Sequence, residues 1–225
     1  MKTVMILTMP RSGSSLLAGI LHRLGIRMGD STDMEMGKHL NKHGCYEDQW
    51  FQSISLNILF ESQLLLDITR RLNMDEKRIE KVVKKYEPEI KQFIQQNNQG
   101  LWGFKDPALI YHLPYYHSLF DNPYYIHLKR NTRDTAGSLF KTFRYSYWLP
   151  EMKEKFPLFK PGNRMRIILR SAKLLLTRQN EYNEHDIFER VIDKGHQRIR
   201  EFIKDKPHLS LRVVRSDRIT TPTSG

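Results

Sequence analysis

The chain of 225 residues has a single cysteine, Cys45. One thiol excludes an intramolecular disulfide and a four-thiolate zinc site. Acidic side chains are also scarce: 25 Asp and Glu stand against 37 Lys and Arg, giving a net charge of +12. Such a surplus points to an anionic partner: nucleic acid, anionic lipid, or a small molecule bearing phosphate or sulfate. No apolar run approaches the ~20 residues of a membrane-spanning helix. The first apolar segment is broken by Pro10 and Arg11, which suits neither a signal-peptide core nor an anchor. Repeats, low-complexity segments and a Gly-x-Ser-x-Gly elbow are lacking too. What is present, 39% hydrophobic residues, excludes a disordered chain and suffices for one core. The expectation is a single domain over 1–225 in a reducing, cytoplasmic setting.

The short apolar run Met1–Leu7 fits a strand buried on both faces, as in parallel sheets. It runs into the turn-forming cluster Thr8–Ser15. Leu16, Leu17, Ile20, Leu21 and Leu24 then mark one helix face, with Gly25 as its stop. Residues 26–44 read as loop, and a second helix spans about 47–66. Ile79, Val82, Val83, Tyr86, Ile90, Phe93 and Ile94 line an amphipathic helix that Pro88 can bend. Strands are expected at Leu101–Lys105, ended by Asp106-Pro107, at Tyr124–Lys129 and at Leu209–Val214. Helices are expected at Arg133–Arg144 and near 164–181 and 185–204, with a flap or long loop at 145–164 and a frayed tail. Strands alternating with helices predict a three-layer α/β fold around a mostly parallel sheet. Ligands of such sheets sit beyond the carboxyl ends of the strands. All three informative motifs follow apolar strands.

The first is Pro10-Arg11-Ser12-Gly13-Ser14-Ser15. A loop between a buried strand and a helix presents unpaired N–H groups, reinforced by the helix dipole. Gly13 allows close backbone approach, the serines add hydroxyls and Arg11 adds charge. The elements of a Walker A loop, including the Ser/Thr that follows its Lys and holds magnesium, are absent. By itself the segment is also what a serine-rich turn capping a helix looks like. It resembles the 5′-phosphosulfate loop of sulfotransferases that use 3′-phosphoadenosine 5′-phosphosulfate (PAPS), Pro-Arg/Lys-Ser-Gly-Thr/Ser-Thr/Ser. The resemblance implies a P-loop NTPase-like fold. It also implies that Arg11 contacts the phosphosulfate while Ser12, Gly13, Ser14 and Ser15 cradle the 5′-phosphate.

The second is Arg130-Asn131-Thr132-Arg133-Asp134, running on to Ser138. Read locally it is helix capping, with Asn131 or Thr132 as N-cap and Asp134 at the positive helix end. It resembles the family's 3′-phosphate motif, Arg-(Asn/Asp)-Pro-Arg/Lys-Asp-x-x-x-Ser, with the same interval from Arg to Ser. That implies Arg130 and Ser138 on the 3′-phosphate. Thr132 stands where the motif has Pro, which alters loop stiffness rather than chemistry. A C-terminal Arg/Lys-Gly segment, often present in the family, is not found. Val213–Asp217 resembles the family's late strand, with Arg215 in place of a common aromatic.

The third pair of segments concerns the chemistry. Sulfuryl transfer, like phosphoryl transfer, needs cations near the leaving oxygen and a base near the acceptor. Gly103-Phe104-Lys105-Asp106-Pro107 resembles the Lys-Asp-Pro signature of bacterial sulfotransferases. Its local alternatives are a structural ion pair or an Asp-Pro turn. The His base of the animal cytosolic members is replaced by Pro107. Asn41–Asp48 resembles the bacterial Asn-x-x-Gly-x-x-Glu-Asp segment, which makes Glu47 the base of choice, with Asp106 as the alternative; the local reading of Glu47 is helix N-terminal charge. His39, His43 and Cys45 lack a fourth metal ligand, and no metal is expected.

Two basic concentrations remain. The one on Arg70–Lys91 reads as solvated helix surface. The other, around Lys153–Arg178 with Tyr145, Tyr147, Trp148, Phe156 and Phe159, suits a cover over the cofactor or steering of an anionic acceptor. The expected activity is sulfuryl transfer from PAPS, leaving adenosine 3′,5′-bisphosphate, to a hydroxyl or amine of a small-molecule or glycan acceptor. A nucleotide-dependent kinase using the same loop and a non-catalytic basic nucleic-acid binder are the alternatives. No nucleic-acid partner is expected.

Overall fold

The structure, a computed structural model, describes residues 2–29, 46–65, 67–144, 156–177 and 185–212. Four strands, β1 (Lys2–Thr8), β2 (Leu101–Lys105), β3 (Pro123–Lys129) and β4 (His208–Arg212), form one sheet in the order β2-β1-β3-β4. Every pairing is parallel. β1 sits inside the sheet because it is apolar on both sides. Ile6 packs with Leu128, Ala18 and Met28 on one face, whereas Met5 and Leu7 enter the main core on the other. The expected three-layer α/β arrangement is therefore what the chain adopts.

The thin layer is α1 (Ser14–Arg23). The five apolar positions assigned to one face of this helix divide. Leu17 and Leu21 pack inward, while Leu16, Ile20 and Leu24 are exposed. Positions 14, 17, 18 and 21 form the stripe that meets the sheet, and 16, 20 and 24 fall outside it at 3.6 residues per turn. Gly25, at φ 92°, ends the helix as expected.

The opposite layer holds α2 (Gln49–Glu61), α3 (Glu76–Asn97), the short α4 (Leu109–His112), α5 (Thr132–Arg144) and α7 (His185–Ile203). Helix α6 (Pro161–Thr177) packs outside α2 through Ile167, Leu56 and Phe60. Pro88 lies within α3 without ending it, and α4 was not anticipated. Residue 27, within the expected loop, instead forms a parallel bridge to Trp102. Its carbonyl accepts from the Gly103 N–H at 2.9 Å. That close approach needs a glycine: a Cβ at 103 would lie 2.8 Å from Met28 Sδ and against the Val4 carbonyl. Of the expected flap at 145–164, residues 145–155 lie outside the described residues, while Phe156–Leu158 form a 3-10 helix and α6 already begins at Pro161; the frayed tail with residues 213–214 of the last strand, and Arg178, also lie outside the described residues. Among the described residues no helix is long and apolar enough to cross a membrane.

Three histidines are buried in this scaffold. His112 Nδ1 meets the Tyr116 hydroxyl at 2.8 Å, and His127 Nε2 meets His196 Nδ1 at 3.0 Å. Burial pushes His112 and His196 down to about 3 and His127 to about 4. The folded chain thus keeps them neutral where the unfolded chain, titrating near 6.5, binds protons. Above about pH 7.5 they contribute almost no pH dependence. Below it stability falls, by up to ~1.4 kcal/mol per pH unit for each histidine. Denaturant unfolding at pH 7.5, 6.5 and 5.5 is expected to show a loss of about 1 kcal/mol over the upper step and about 3 kcal/mol over the lower one.

Candidate functional site

The register of the sheet brings three chain segments to one edge. Ile6 pairs with Lys105 and Thr8 with Leu128. The loop after β1, the Lys105-Asp106 end of β2 and the Lys129-Arg130 end of β3 therefore emerge side by side at the carboxyl edge. β1 is followed in the chain by its neighbour on one side, β2, and β3 by its neighbour on the other, β4. The gap between β1 and β3 is thus a topological switch point, the place where open parallel sheets bind ligands.

The loop after β1 is held in an unusual conformation. Arg11 (φ 66°) and Gly13 (φ 86°) are both left-handed. Left-handed residues on either side of Ser12 aim successive backbone N–H groups into one concavity. For Arg11 this conformation is strained, and it persists because the surroundings fix it. Ser12 is buried and donates its hydroxyl to the Met9 carbonyl at 2.7 Å. Its hydroxyl is therefore committed to closing the loop. Below the loop, α7 approaches so closely that a Cβ on Gly195 would strike Met9 Sδ.

α1 begins at this loop with Gly13 as N-cap and no side-chain cap. By contrast Asp48 caps α2, accepting from the Phe51 N–H at 2.8 Å, and Asp75 caps α3. The first N–H groups of α1 are left for another acceptor, with the positive helix end behind them. Ser14 is buried there, and Ser15 is partly exposed.

The second motif meets the first. Arg130 donates from Nη1 to the Arg11 carbonyl at 3.1 Å, and Arg11 donates from Nε to Ser138 Oγ at 3.2 Å. Asn131 is the cap of α5, accepting from the Asp134 N–H at 3.1 Å. Thr132, at the position where the resembled motif has Pro, donates to Asp193 of α7 at 2.7 Å. A hydrogen bond to a neighbouring helix thus fixes this turn.

On the other side, Lys105 is almost fully buried and its ammonium donates to Glu47 Oε1 at 2.6 Å. The second Glu47 oxygen accepts from Gln52 Nε2. Packing explains the meeting: Phe51, in the first turn of α2, lies 4.7 Å from the Phe104 ring beside Lys105. Glu47 precedes the Asp48 cap and links the end of β2 to Gln52 of α2. Lys105 pairs with Glu47. Asp106 Oδ1 accepts from the Ala108 N–H at 2.7 Å and shapes the turn into α4. Sequence reasoning missed Gln52 and Asp193. A polar residue amid the apolar run of α2 was the available signal for Gln52; Asp193 gave none. Residues 41–45, His39, Tyr145, Tyr147, Trp148, Lys153 and Lys155 lie outside the described residues. Among the described residues no His, Cys, Asp and Glu cluster is arranged to hold a metal ion.

The arrangement is an electropositive edge with backbone donors in the centre, guanidinium groups on one flank and a buried carboxylate–ammonium pair on the other. It can bind an anion and move a proton beside it. A family model described as "Sulfotransferase family" matches residues 3–189. No curated protein matches the chain. Among solved structures, the sulfotransferase domain of the Synechococcus PCC 7002 olefin synthase is 17% identical with a TM-score of 0.42, the match covering 94% of this chain and 66% of that one.

The Lys105–Glu47 pair sets a stability test. Removing one member of a buried pair strands the other, at a cost of ~3 kcal/mol. Lys105→Met is expected to lose about that much in denaturant unfolding. Adding Glu47→Gln should recover more than half of the loss, and additive effects would show that the two are not coupled.

Proposed function

The chain belongs to the sulfotransferase family, matched over residues 3–189, and from that premise we propose that it moves a sulfuryl group from PAPS to a hydroxyl or amine of a small-molecule or glycan acceptor. The observation that carries the reading is the meeting of Arg130 and Ser138 with Arg11 at the loop after β1. Two segments some 120 residues apart, each resembling one phosphate motif of the family, share one crevice. The uncapped start of α1 and the inward-turned backbone around Ser12 suit a 5′-phosphosulfate. Adenosine 3′,5′-bisphosphate would be left behind, and no metal is required. A single cysteine is compatible with a reducing, cytoplasmic setting.

When bound, the phosphosulfate supplies a loosely held sulfuryl group and an anionic leaving phosphate. Arg130 and Ser138 hold the 3′-phosphate, Arg130 through its charged fork and Ser138 through its hydroxyl. Gly13, Ser14, Ser15 and the Ser12 backbone cradle the 5′ end. Arg11 and Lys105 counter the charge that develops there. Glu47 takes the proton of the acceptor. Asp106, whose Oδ1 accepts from the Ala108 N–H, is the alternative base.

Calorimetry with adenosine 3′,5′-bisphosphate tests the reading without a known acceptor. Arg130→Ala removes a charged hydrogen-bond partner, and the affinity is expected to fall about 10–100-fold. Thermal shifts should be produced by the bisphosphate and not by ATP with magnesium. A bisphosphate affinity indifferent to Arg130, or stabilisation by magnesium–ATP alone, would refute the assignment.

A further inference from the structure

We propose that Gln52 is a positioning residue for Glu47: its side-chain amide and the Lys105 ammonium together fix the Glu47 carboxylate in its ionised, proton-accepting form at the carboxyl edge of the sheet. This rests on the reading of Glu47 as the base.

Glu47 lies on an irregular segment between Tyr46, at φ 54°, and the Asp48 cap. Nothing in that backbone fixes its side chain. Instead Lys105 takes Oε1 and Gln52 takes Oε2. An ionised carboxylate only accepts hydrogen bonds, so the amide nitrogen of Gln52 must be the atom that faces it. A carboxylate oxygen has two lone pairs, so accepting one hydrogen bond does not preclude taking a proton. The proton of an acceptor O–H or N–H can therefore pass to Glu47 while its electron pair stays on the attacking atom.

The setting of Gln52 gives the bond its meaning. Its side chain is 5% exposed, between the core residues Phe51 and Ile54. Among the described residues its Oε1 has no hydrogen-bond partner. A buried carbonyl without a partner is a cost that a methionine of similar shape would avoid. Of the other polar residues along this stretch of α2, Ser55 keeps a buried hydroxyl with no hydrogen-bond partner among the described residues, and two serve the fold. Ser53 donates to the Leu158 carbonyl, and Asn57 joins Leu158, Lys160 and Asn163. Gln52 makes no such tie; its hydrogen bond goes to Glu47. A polar side chain in this apolar setting, bonded to the base, is explained by what it does to that base.

The test is a carbon-13 titration of the glutamate carboxylates, with Glu47 assigned by Glu47→Gln. In Gln52→Met the ionised form loses a donor, so its midpoint is expected to rise by about half to one pH unit. The melting temperature should hold or rise, because an unpaired carbonyl has left the core. An unmoved midpoint overturns the proposal. A second reading needs no variant: in the native protein the Gln52 side-chain amide signals should titrate with the Glu47 midpoint, and indifference to pH would overturn the proposal equally. Adenosine 3′,5′-bisphosphate affinity on the same samples is expected to be unchanged by Gln52→Met. Failure of the native protein to bind it would sink the donor site instead, leaving the titration to judge Gln52 alone.

Discussion

The register of three parallel strands governs the rest of the structure. Because β1 pairs with β2 through Ile6–Lys105 and with β3 through Thr8–Leu128, the ends of all three strands are forced to one edge. Residues far apart in the chain then meet at hydrogen-bonding distance. A slip of one residue would turn Lys105 to the other face of the sheet, away from Glu47. It would also turn Ile6 into the layer that Met5 and Leu7 fill. The site is therefore specified by the same apolar alternation that specifies the core, and the chemistry at the edge needs no separate folding instruction.

Holding the edge rigid is the task of α7. It touches the scaffold behind the phosphate loop at two points. Gly195 lets the helix backbone lie against Met9, one residue before Pro10. Two residues earlier, Asp193 accepts from Thr132 at the start of α5. The loop after β1 and the turn after β3 are thus braced by one helix. This explains how a threonine can occupy the place where the resembled motif has proline. Proline stiffens a turn by fixing φ, whereas here a hydrogen bond to a neighbouring helix restrains the same turn.

Much of this could be read from the residues, and the limits have physical causes. The strands at 2–8, 101–105 and 123–129 were legible because runs buried on both faces are uniformly apolar. The loop and the Arg130 segment were legible because backbone conformation and charge are encoded locally, in a glycine, serines and arginines at fixed spacing. Which side of α1 faces the sheet was not, since five apolar residues offer two stripes and only tertiary packing chooses between them. The Lys105–Glu47 pair was half legible: both residues stood out, but their union depends on Phe51 packing against Phe104. Gln52 and Asp193 act across elements, and no local pattern marks such a partner.

The ion pair also bears on why the edge is built from charge at all. Replacing a buried pair with apolar residues of like volume is often neutral or stabilising, so stability alone does not call for Lys105 and Glu47. Lys105 is nearly fully buried and Glu47 only a little less so. A protein that needed only a closed core at this place would do as well with leucine and methionine. What the pair supplies is a cation and a carboxylate at a separation of one hydrogen bond, at the same sheet edge as the loop after β1. In that position each serves the other in the free protein, which keeps both charges satisfied without solvent. Gln52 takes the other oxygen of Glu47, so the carboxylate is held from two sides at the end of β2.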